Sequence, residues 1–70
     1  MSLLDEIDGA LLTVVDREAR LVYAWFGGAG VNIYNEDGVE VDYFTIGGPG
    51  KLTPARVRSV IERVMASPDD

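Results

Sequence analysis

Seventy residues and 7.6 kDa leave room for one hydrophobic core, which at this length covers only about 60% of the surface the unfolded chain exposes. An apolar fraction of 47% with 26% charged residues excludes a disordered chain, and the lack of cysteine excludes disulfides and thiolate metal sites. Twelve acids against six Lys and Arg give a charge of −6, and residues 1–50 hold nine of the acids with only Arg17 and Arg20, a balance that repels nucleic acid and anionic headgroups.

The start, Met1-Ser2-Leu3-Leu4-Asp5-Glu6, lacks the basic segment of a signal peptide. Leu21 to Phe26, the longest apolar run, is far short of the ~20 residues that cross a bilayer, so a cytoplasmic location away from membranes is expected. Two readings compete for the first 26 residues. In one, Ser2 caps a long helix with Leu3, Ile7, Leu11, Val14, Leu21 and Trp25 in its stripe, stopped by Gly27-Gly28. In the other, a short helix ends at Asp8-Gly9, and strands from Ala10 to Val15 and Arg20 to Phe26 flank Asp16-Arg17-Glu18-Ala19. Gly9 and Thr13-Val14-Val15 oppose the helix, but the spacing before Val15 favours it, and it is the preferred reading, with Arg20 to Phe26 open to being an extra strand.

A hairpin follows: Val31 to Tyr34, a turn at Asn35-Glu36-Asp37-Gly38, then Val39 through Ile46. Val39, Val41 and Tyr43 alternate with Glu40 and Asp42, the period of a half-buried strand, and Phe44 and Ile46 break that alternation. The last element is the clearest. Val57, Val60, Ile61, Val64 and Met65 form one stripe, Thr53 is a fitting N-cap, Pro54 suits the first helical position and Pro68 prevents continuation, so a helix is expected from Pro54 to Ala66. The expected fold is therefore a single α+β domain over residues 1–70 with an N-terminal helix, an antiparallel β-hairpin or three-stranded sheet, and a C-terminal helix packed on one face. Residues 67–70 read as a frayed tail.

Three segments invite a ligand reading and fail in detail. Gly47 to Thr53 lacks a P-loop's first glycine, where Thr45 stands, and has Leu52 where Ser or Thr would meet Mg²⁺. Gly28-Ala29-Gly30 begins a dinucleotide fingerprint whose third glycine is Ile33. From Asn35, a calcium loop would need oxygen ligands where Val39 and Ile46 stand. With no histidine or cysteine there is no conventional triad, so no cofactor, metal or catalytic residue is expected.

The candidate partner-binding residues lie on the hairpin. With Val31 and Ile33 inward, Tyr34 faces outward, either as an anchor ringed by Glu36, Asp37, Glu40 and Asp42 or as a partly exposed edge of the core. Arg56, Arg58 and Arg63 lie off the helix stripe and are read as pairing with Glu62 or acids of the sheet, or as stabilising the helix end, with no direct nucleic-acid binding.

In size, acidity and lack of cysteine and histidine, with Val31-Asn32-Ile33-Tyr34, Asp37-Gly38 and Val41-Asp42-Tyr43-Phe44 forming a hairpin between helices, the chain resembles short phage-encoded inhibitors of the anti-CRISPR type. The likeness is one of class over the whole chain and assigns no residue a role. It implies stoichiometric inhibition, an acidic face occupying a basic channel of a protein or nucleoprotein complex. The alternative is a small structural or sensory module that pairs as a homodimer through a strand edge or helix stripe. Val15 to Tyr23 also resembles a strand-turn-strand of PAS-type sensors, with Ala19 where glycine is expected.

Overall fold

The computed structural model describes residues 7–48 and 50–66. Four strands, β1 (Leu12–Asp16), β2 (Leu21–Trp25), β3 (Gly30–Asn35) and β4 (Glu40–Thr45), precede one helix, α1 (Pro54–Ala66). The sheet order is β1-β2-β3-β4 with every pair antiparallel, a meander in which each strand lies beside its neighbours in sequence.

The preferred N-terminal helix is overturned. Within the described residues its span holds β1 and β2, paired from Leu12↔Trp25 to Asp16↔Leu21, and residues 1–6 lie outside them. Two local features explain this. Gly9 sits at φ +86, a conformation a right-handed helix does not contain, and Thr13-Val14-Val15 suit a pleated strand better than a helix. The Asp16 carboxylate accepts the Ala19 N–H at 3.1 Å, and Arg20 reverses the chain at φ 60, the one non-glycine residue with positive φ among those described. The expected hairpin or three-stranded sheet is thus a four-stranded sheet.

The β3–β4 turn is held by its first residue. Asn35 Oδ1 accepts the N–H groups of Asp37 and Val39, at 2.9 and 3.0 Å. Gly38 supplies the left-handed step at φ 81 and donates its N–H to the Asn35 carbonyl at 3.0 Å. Gly27 to Ala29 join β2 to its antiparallel neighbour β3, and the buried Trp25 indole N–H donates to the Gly28 carbonyl at 2.8 Å. Gly47 to Thr53 connects β4 to α1, with Pro49 outside the described residues, and Arg56 Nη1 donates to the Lys51 carbonyl at 3.4 Å across it.

α1 forms as its stripe predicts. Thr53 Oγ1 accepts the Arg56 N–H at 3.2 Å, and Val57 and Ile61 are fully buried against one face of the sheet. That face gathers Val14, Tyr23, Trp25, Val31 and Ile33, with Leu12, Leu21, Phe44, Ile46, Leu52 and Met65 packed around them. Tyr23 and Phe44 meet with ring centroids 6.5 Å apart. The proposed tail at 67–70 and the stop at Pro68 lie outside the described residues.

Candidate interaction surface

The face of the sheet away from α1 carries Thr13 and Val15, Val22 and Ala24, Asn32 and Tyr34, and Tyr43 and Thr45, as the pairing registers Val15↔Val22↔Tyr34 and Thr13↔Ala24↔Asn32↔Tyr43 require. α1 packs on the opposite face. Val22 and Ala24 at its centre are fully buried, and Tyr34 is half-buried beside them.

Val31 and Ile33 do point into the core and Tyr34 away from it, as expected. The second arm departs from its alternation. Val39, Val41 and Tyr43, read as the buried phase, are 56%, 52% and 65% exposed, because Phe44 and Ile46 take the core side instead. An irregularity in the ladder between Ile33 and Tyr34 adds to this: Ile33 faces Asp42, Tyr34 faces Glu40, and Val41 is the extra residue.

The bulge divides the five candidate residues. Tyr34 and Glu40 oppose each other on the face away from the helix. Asp42 belongs to the α1 side, where its Oδ1 accepts the Tyr43 N–H at 2.8 Å. Glu36 and Asp37 sit at the turn. Glu36 is also partly neutralised, since its Oε1 meets Arg20 Nη1 at 2.8 Å. The acids therefore wrap around the end of the hairpin and do not form a ring about Tyr34.

Sequence reading missed three contributors. Val41 and Tyr43 supply exposed apolar area, and the parity of Phe44 and Ile46 was the signal for Tyr43. Arg20 reaches Glu36 from sixteen residues away, a distance no local pattern reveals.

Tyr23 lies on the α1 side between two acids. Burial pushes its phenol above the ordinary value of 10.0, and the charges of Asp16 and then Asp42 push it further the same way. Among the described residues no group of three or more acids is placed to hold a metal ion. An open groove of about 370 Å³ lies between the Ile7–Thr13 segment and Arg58, with Asp8 and Arg58 as its charged groups. No described helix is long and apolar enough to cross a membrane. No family model, no curated protein and no solved structure matches this chain.

Proposed function

We propose that this chain is a non-enzymatic inhibitor or adaptor that docks its β3–β4 hairpin onto a basic protein or nucleoprotein complex. One observation carries the reading: residues 30–50 hold four acids and no base, and the exposed Val41 and Tyr43 alternate along one strand with Glu40 and Asp42. Apolar side chains at the centre supply the contact area that excludes water, and carboxylates at the margin steer a lysine- or arginine-rich surface into register. The same charge opposes direct contact with nucleic acid or anionic lipid. Short phage-encoded inhibitors of the anti-CRISPR type represent this mode of action, and a cytoplasmic location accords with it.

Capture from a lysate at low and high salt tests the proposal, with the wild type compared against a Glu40→Lys/Asp37→Lys double variant and Tyr43→Ala. A basic protein should be retained at low salt, released at high salt, and lost at least about tenfold with either variant, as removal of an interface anchor or reversal of its charge predicts. Both variants should keep the wild-type melting transition. Capture of the same proteins by the reversed-charge variant would refute docking through this hairpin.

A further inference from the structure

The two edges of the sheet are built differently. β4 carries a bulge at Val41 and two acids, Glu40 and Asp42, within six residues, so a second copy laid along it would meet carboxylate against carboxylate. These are devices by which an edge strand avoids pairing. β1 has no bulge, and its one acid, Asp16, stands at its end. Leu12-Thr13-Val14-Val15 is an uncharged, β-branched run in regular register with β2, its outer side is paired with no described strand, and its first charge is Asp16.

The helix above that edge offers a matching pattern. α1 lies over β1, and Arg58 lines the groove beside Leu12 and Thr13. Glu62 stands one turn further along the same side of α1. Both residues are exposed, and neither makes an ion pair with a described residue. About a two-fold axis through the β1 edge the helices of two copies run antiparallel, and a positive and a negative residue one turn apart then become self-complementary.

We infer that a second copy of this chain pairs with the outer edge of β1, joining two sheets into one of eight strands, with Arg58 of each subunit facing Glu62 of the partner subunit. The uncharged stretch of β1 lets two chains of net charge −6 approach there, and the helix charges fix the register. The hairpin at the opposite edge stays free for its own partner. The dimer requires none of the docking residues proposed above.

Sedimentation equilibrium of the full chain over a concentration series tests this in the absence of any other protein. A reversible dimer is expected, with Arg58→Glu and Glu62→Arg each weakening it about tenfold, since two symmetric pairs become repulsive together. The Arg58→Glu/Glu62→Arg double variant should return to within about twofold of the wild type, because the swap preserves the complementarity and both sites are exposed. Amide exchange at Leu12–Asp16 should slow as concentration rises while exchange in β4 does not. A monomer at every concentration, a dimer indifferent to both single reversals, or concentration-dependent protection of β4 would each overturn the inference.

Discussion

Tyr23 sits in the layer between sheet and helix with Asp16 and Asp42 near its hydroxyl, an arrangement that tolerates the neutral phenol and resists the phenolate. Below pH 10.0 folded and unfolded chains both keep the proton, and the packing of the ring is fully available. Above 10.0 the unfolded chain loses its proton first, so stability falls as pH rises from there towards the higher value of the folded state. Urea midpoints measured at increasing pH should decline across that range, and Tyr23→Phe should flatten the decline; an equal decline in the variant would refute the assignment. At Ile61, fully buried at the centre of the α1 contact, truncation to alanine should cost about 2–5 kcal/mol. A domain this small has only a few kcal/mol of stability, so Ile61→Ala should lack a cooperative thermal transition, which circular dichroism reads directly.

α1 was legible because every local signal agreed on it: the cap at Thr53, the proline after it and the buried pair Val57 and Ile61. Thr53→Ala should destabilise the domain by about 1 kcal/mol in urea titration, and Thr53→Ser should restore it. The hairpin turn was legible for a similar reason, since Asn35 and Gly38 serve it by their own chemistry. β1 and β2 were not. Their apolar residues also satisfy a helical spacing up to Val15, and the choice is settled by Gly9 and by the turn at Asp16–Arg20, whose left-handed residue is an arginine that sequence alone does not mark. Of the interaction surface, the acids and the outward Tyr34 were legible, but their division between two faces was not. A bulge adds one residue to one strand, and it is visible only when the partner strand fixes the register. Deleting Val41 should remove that irregularity and the edge protection it gives, so the shortened chain should aggregate through β4, as light scattering would show.

Taken together, the excess of carboxylates gives the folded chain a self-repulsion that added salt relieves. Its melting midpoint should therefore rise with sodium chloride by a few degrees, and the Glu40→Lys/Asp37→Lys variant should show a smaller rise. A midpoint independent of salt would indicate that the acids are internally compensated, as Arg20 compensates Glu36. The meander has a consequence for how the chain acquires its shape. Because each strand pairs with the one just before it, almost no long loop must close before contacts begin to reward the lost entropy, and refolding should be single-exponential and complete within about milliseconds. During synthesis the sheet can zip strand by strand as it emerges, while the helix that buries its inner face arrives last. A nascent chain stalled before Pro54 would present that greasy surface to chaperones, and the emergence of α1 is the moment at which it becomes safe from them.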